Sequence, residues 1–186
     1  EGRLRRLSPR EAVLAVAGTH GKTTTSSLTA WLLAQAGQQP GFFIGGIAGN
    51  FGTGFRAPKQ GGPMVIEGDE YDTAYFEKTA KFLHYEARHA IITSIEHDHI
   101  DIYPNEQSYF EAFIRFILDL PETATLVANA DDDHVTRLVT EYATCSVEWY
   151  SVGSSFIEPH DSLWRATACT QDARSQSFEL QRGDTS

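Results

Sequence analysis

The chain is short of several things, and each shortage excludes a class of protein. It has two cysteines, Cys145 and Cys169, in 186 residues. That is no disulfide framework, and it points to a reducing compartment, the cytoplasm. Positive charge is scarce: 15 Lys and Arg stand against 25 Asp and Glu, a formal net charge of −10. A nucleic-acid binder carries a basic face, so nucleic acid is an unsuitable partner. No apolar run approaches the length of a membrane span. The opening "EGRLRRLSPR" has basic residues but no apolar stretch to make a signal peptide. What remains is 41% hydrophobic and 22% charged, the composition of a globular domain with a real core.

The first 143 residues alternate apolar runs and helical patterns. "AVLAVA" (12–17), "GFFIGG" (41–46), "PMVIEG" (63–68), "RHAIITSIEHDH" (88–99) and "ATLVANADD" (124–132) read as strands. The fourth is expected to end near Glu96. Helices are predicted over 22–36, with Gly37 just past the end, over 106–120, and over 132–142. Asn105 can cap the second, Pro121 follows it, and Phe110, Phe113, Ile114, Ile117 and Leu120 line one of its faces. Residues between the second and third strands read as an exposed glycine-rich loop. After Thr144 the period changes to short alternating strands. The expected fold is α/β: a mostly parallel sheet with helices on both faces over 12–143, plus a small antiparallel annex over 144–186.

The first strand runs into "GTHGKTTT" and then a helix. A helix start offers free N–H groups and the positive end of its dipole. Gly18 and Gly21 let the backbone fold closely around an anion, Lys22 adds a mobile charge, and Thr23 places a hydroxyl where Mg²⁺ needs a ligand. The strict phosphate-loop pattern asks for glycine at 16, where this chain has Val16. His20 reads most simply as a polar side chain packing the loop. In an open parallel sheet, ligands bind beyond the carboxyl ends of the strands. Two further strands end there in acidic clusters, "VIEGDEYD" and "IEHDHID". Such carboxylates repel one another unless a cation lies between them. Glu67 emerges at a strand tip as a hard oxygen ligand, while Asp69, Glu70 and Asp72 suit a solvated turn. "HDHID" also matches H-x-H-x-D, the start of a dinuclear zinc motif of metallo-β-lactamase type. That pattern continues with histidine, and here Ile102 follows.

In order, "GTHGKTTT", "VIEGDEYD", "SIEHDHIDIYP" and "NADDD" resemble the Mur ligase family, ATP-dependent amide-forming enzymes of peptidoglycan synthesis. The resemblance covers roughly residues 12–140 and falls on the central, ATP-binding domain. It implies ATP and Mg²⁺ as cofactors. Gly18, Thr19, His20, Gly21, Lys22, Thr23 and Thr24 would then surround the phosphates. Thr23, Glu67 and His99 would ligate metal, and Lys22, Glu67 and His99 would be the catalytic set. Asn129 would belong to the nucleotide site. "EGDEYDTAYFEKTAKFLHY" is most similar to the recycling branch, which joins a recovered tripeptide to UDP-N-acetylmuramate through an acyl phosphate. A sister branch uses L-alanine. Some family members use a carbamylated lysine downstream of the metal histidine, and this chain has no lysine after Lys81. The resemblance also implies that residues 1–11 are a linker from an N-terminal domain for the UDP-sugar, and that a C-terminal domain for the amine lies elsewhere. No feature sets an oligomeric state. A nucleotide-binding module without ligase activity is the competing class.

Overall fold

The structure, a computed structural model, describes residues 13–59, 61–69, 72–74, 77–97, 103, 105–152, 163–173 and 175–183. Its strands are β1 (Val13–Ala17), β2 (Gly41–Ala48), β3 (Thr53–Arg56), β4 (Met64–Glu67), β5 (Asp72–Ala74), β6 (Glu77–Ala80), β7 (His89–Ile92), β8 (Thr125–Asn129), β9 (Ser146–Val152), β10 (Leu163–Gln171) and β11 (Gln176–Arg182). Its α-helices are α1 (Lys22–Gln35), α2 (Glu106–Leu118) and α3 (Asp133–Tyr142). A 3₁₀ turn covers Lys81–His84. Nine strands form one sheet in the order β11-β10-β9-β8-β7-β1-β4-β2-β3, and β5–β6 is a separate hairpin. Pairings from β2 through β10 are parallel, and the two ends, β2–β3 and β10–β11, are antiparallel.

β1 sits at the centre, paired with β4 from Val13↔Met64 and with β7 from Leu14↔His89. Successive side chains leave opposite faces of a strand, so β1 serves two cores. Val13, Ala15 and Ala17 join the larger one with Ile92, Leu126, Phe113 of α2 and Leu138 of α3. Val16 joins the smaller one with Val65, Phe42, Ile44 and Ala30 of α1. Helices thus cover both faces, as expected.

α1 packs closely on the sheet through small residues, Ser26 and Ala30, which are fully buried. Leu28 and Leu32 are 54% and 58% exposed. Gly37 follows the helix with φ 80°, a left-handed backbone that glycine adopts freely.

Four sequence expectations are redrawn. The glycine-rich loop contains β3, which pairs with β2, and Gly54 lies so near Gly46 and Ile44 that a Cβ would be 2.4 Å from the Gly46 carbonyl oxygen. β7 ends at Ile92, not near Glu96, because the next residues turn their backbone to the loop that follows β1. The expected antiparallel annex after Thr144 is antiparallel only at its outer edge: β9 continues the parallel sheet against β8, β10 runs parallel to β9, and β10–β11 is the antiparallel pair. The acidic turn after Glu67 leads into the β5–β6 hairpin, with Asp69 paired to Lys81 at 2.9 Å.

Candidate functional site

The residues after β1 form a tight loop into α1. Gly18 has φ 135°, and a Cβ there would lie 2.1 Å from Thr93 Oγ1. Gly21 caps α1 with φ 82°. Both positions require glycine. The first intrahelical bond runs from Thr25 N–H to Gly21 O at 2.9 Å, so the amides before it face out of the helix start. Lys22 folds over the loop and donates from Nζ to Gly18 O at 2.6 Å and to Thr19 O at 3.3 Å.

Glu67 is the last residue of β4, on the strand beside β1. The Thr23 hydroxyl donates to its Oε1 at 2.7 Å, and the Gly45 amide donates to Oε2 at 2.7 Å. Next to it, Gly68 N–H donates to Val16 O at 2.7 Å and leaves no room for a side chain: a Cβ would meet that oxygen at 3.0 Å. The strand tip is therefore anchored to β1, and the carboxylate stands beside the start of α1. Thr23 and Glu67 are thus brought together, with Lys22 the residue before Thr23 at the start of α1. Thr24 lines a neighbouring open cleft of about 380 Å³ with Thr23, Ser27, Leu28, Ile47 and Asn50.

The segment after β7 supports the loop from its other side. Thr19 N–H donates to Ser94 O at 2.9 Å, and His20 N–H to Ser94 Oγ at 3.1 Å. The Thr93 hydroxyl lies 2.6 Å from His20 O and 3.2 Å from Ala17 O. The Thr19 side chain is buried and bonds Glu96 through both its N–H and its carbonyl. The His20 side chain, by contrast, does not pack the loop: it is 65% exposed, with Nε2 3.7 Å from Glu96 Oε2.

Asn129 is committed to the protein's own backbone. Its Nδ2 donates to Thr93 O at 2.8 Å and its Oδ1 accepts from Asp131 N–H at 3.0 Å. Asp131 in turn accepts from Ser151 Oγ and Val152 N–H, each at 2.6 Å. His97 Nε2 lies 3.0 Å from Tyr103 O. His99 lies outside the described residues, as do Asp98 and Asp101 of the H-x-H-x-D run. Among the described residues no group of three His, Cys, Asp or Glu side chains could hold a metal ion.

Sequence reasoning passed over the Gly45 amide, Thr93, Ser94 and Asp132. The available signal was position. Thr93 and Ser94 directly follow an apolar strand at the carboxyl edge of the sheet, where β1 and β4 also end in functional groups.

Residues 16–185 match the Mur ligase middle domain. The chain is 38% identical over 162 residues to the UDP-N-acetylmuramate–L-alanyl-γ-D-glutamyl-meso-2,6-diaminoheptandioate ligase of Haemophilus influenzae, covering 87% of this chain and 34% of that protein. It is 35% identical over 185 residues to the UDP-N-acetylmuramate–L-alanine ligase of Roseiflexus sp. (strain RS-1), covering 97% of this chain and 38% of that one. The crystal structure of UDP-N-acetylmuramate:L-alanyl-γ-D-glutamyl-meso-diaminopimelate ligase from Neisseria meningitides matches with a TM-score of 0.78 and 35% identity, over 93% of this chain and 52% of that one. The chain spans about a third of the length of the curated relatives it matches. With a matched middle domain and relatives of this similarity, the chain belongs to the Mur ligase family.

Proposed function

We propose that this chain is the nucleotide-binding part of an ATP-dependent ligase of peptidoglycan recycling. The ligase joins L-alanyl-γ-D-glutamyl-meso-diaminopimelate to the carboxylate of UDP-N-acetylmuramate in the cytoplasm. On this reading residues 1–186 are the central domain, 1–11 lead in from a UDP-sugar domain, and the amine is recognised elsewhere. Among the described residues no helix is long and apolar enough to cross a membrane. The observation that carries the reading is the 2.7 Å contact between Thr23 and Glu67 beside a helix start, at the carboxyl edge of a parallel sheet.

The donor set fits the cofactors. The Thr23 hydroxyl and the Glu67 carboxylate are hard oxygen ligands of the kind Mg²⁺ prefers. Gly45 keeps that carboxylate's space clear, since a Cβ there would press it at 3.3 Å. Gly18, Thr19, His20, Gly21 and Thr24 would enclose the phosphates, with Lys22 as their mobile counter-charge. Glu67, Thr23 and His99 would hold the metal. ATP supplies the phosphoryl group that turns an unreactive carboxylate into an acyl phosphate open to attack by an amine.

The protein's part is alignment and charge neutralisation, not covalent chemistry. Lys22 already lies over the mouth of the loop. Glu67 holds Thr23 in place through one oxygen and the β2 backbone through the other. Asn129 acts at one remove, by fixing Thr93 and so the loop.

The test is ADP release by the intact ligase that carries this chain, with UDP-N-acetylmuramate, Mg²⁺ and either the tripeptide or L-alanine. Turnover that requires UDP-N-acetylmuramate and the tripeptide is the expected result. Lys22→Ala should lower it by about 100-fold or more with an unchanged melting curve. Glu67→Gln should raise the Mg²⁺ concentration needed for half-maximal rate. Preference for L-alanine would move the enzyme to the sister branch. ATP hydrolysis indifferent to UDP-N-acetylmuramate would reduce the chain to a nucleotide-binding module.

A further inference from the structure

α2 buries a row of aromatic residues, Tyr109, Phe110, Phe113 and Phe116. Phenylalanine would fill the Tyr109 site equally well, so the hydroxyl needs a reason. It lies 2.8 Å from Thr19 Oγ1, on a residue 90 positions away inside the phosphate loop.

The protons can be assigned. Thr19 has one hydroxyl hydrogen, directed at the Glu96 carbonyl oxygen at 3.0 Å, which can only accept. The same Thr19 oxygen accepts from Glu96 N–H at 2.9 Å. With the Thr19 hydrogen on that carbonyl, Tyr109 is the donor, and Thr19 Oγ1 has its full set of one bond donated and two accepted. The Tyr109 ring meets Tyr103 edge-on at 5.0 Å and stands 6.0 Å from the His97 ring. His97 bonds the Tyr103 carbonyl. One side chain thus touches the phosphate loop, the end of the Ser94–His97 segment, and Tyr103.

We propose that Tyr109 is a positioning residue. Its hydroxyl, acting through Thr19, sets the separation between the phosphate loop and the segment leading to His99. This rests on the ligase reading above, because that separation matters only if both sides serve one reaction. Losing the hydroxyl leaves the loop's glycines, Lys22 and the amides of α1 in place. ATP binding therefore survives while alignment is degraded.

The experiment is a double-mutant cycle in the intact ligase with Tyr109→Phe, Thr19→Val and the pair. Each single change should lower kcat by about tenfold with KM for ATP moved less than about threefold, and the pair should be no slower than the slower single. Thr19→Ser, which keeps the hydroxyl, should restore kcat to within about twofold of wild type. Multiplying effects would overturn the proposal, as would a lowered melting temperature with kcat intact. A second measurement does not depend on turnover. In the intact ligase, Tyr109→Phe should speed hydrogen exchange at the Glu96 amide by about tenfold and leave β7 amides unchanged. If the ligase proves not to use ATP while this exchange responds, the ligase reading fails and the Tyr109 contact stands. If ATP is used and the exchange does not respond, the contact fails.

Discussion

Tyr150 stands on β9 opposite Asn129, half-buried beside the acidic turn that closes β8. Burial pushes its hydroxyl up to about 12 from an ordinary 10.0, and the nearby Asp131 and Asp132 charges add to the effect. Below pH 10 the phenol is neutral in folded and unfolded chains alike, and it adds no slope. From about pH 10 to 12 the unfolded chain releases a proton that the folded chain keeps, so stability falls as pH rises. The whole two-unit window corresponds to a loss of at most about 2.7 kcal/mol. Tyr150→Phe should therefore match wild type in urea midpoint at pH 8 and exceed it progressively above pH 10. Equal midpoints at about pH 11 would refute the assignment. The same acidic turn shows how much a carboxylate can do without a ligand: both Asp131 oxygens serve Ser151 and Val152, and tie β8 to β9.

At the scale of elements, α2 and α3 begin on side-chain caps that serve different ends. Asn105 Oδ1 accepts from Ser108 N–H at 2.9 Å. Asp132 Oδ1 accepts from Val135 N–H at 2.9 Å, while its Oδ2 also accepts from Ile95 N–H at 3.2 Å. Asn105→Ala should cost about 1 kcal/mol and leave ATP affinity alone. Asp132→Ala should cost about 2 kcal/mol, because a charged group also leaves the Ile95 amide. It should also lower kcat of the intact ligase while moving ATP affinity less than about threefold, since Ile95 adjoins the Ser94 and Glu96 contacts to Thr19. Chemical denaturation, nucleotide titration and turnover of the two variants, side by side, check this.

These helices were readable in advance because their periods, and for α2 its cap and stop, are local. β1 and β4 were readable because an apolar run ends at a glycine or a carboxylate. β3 was not: Thr-Gly-Phe-Arg offers a single apolar residue, Phe55, beside a glycine, too little to show a period, and backbone pairing to β2 makes the strand. The end of β7 was overrun because the buried Ile95 resumes the apolar pattern beyond Thr93 and Ser94, where the backbone has already turned away. Alternation in 146–182 announced strands but could not say which way they pair. Lys22, Thr23 and Glu67 were visible as chemistry at strand ends. The Gly45 amide, Ser94 and Tyr109 were not, since their roles exist only where distant segments meet.

The whole molecule is arranged around its first strand. β1 lies mid-sheet, flanked by β4 on one side and β7 on the other, with α1 over one face and α2 and α3 over the other. That arrangement sets an order in time as well as in space. Leu14 pairs with His89, some 75 residues later. At about 5–20 residues per second of synthesis, β1 waits roughly 4–15 s beyond the ribosome exit for its second neighbour. Until then the chain has a phosphate loop with no Thr93–Glu96 backing and an apolar strand with one edge unpaired. Such a topology, rich in distant contacts, also folds slowly in isolation. Nascent chains stalled with the sequence exposed only as far as about residue 80 should be cleaved readily within 13–35. Those exposing α2 as well should resist. Protection at the shorter length would mean that β1, β4 and α1 form a stable unit alone. The earliest-made of the described sheet strands is thus among the last to be sealed, and the loop proposed to hold the nucleotide cannot mature before the Thr93–Glu96 segment has been made.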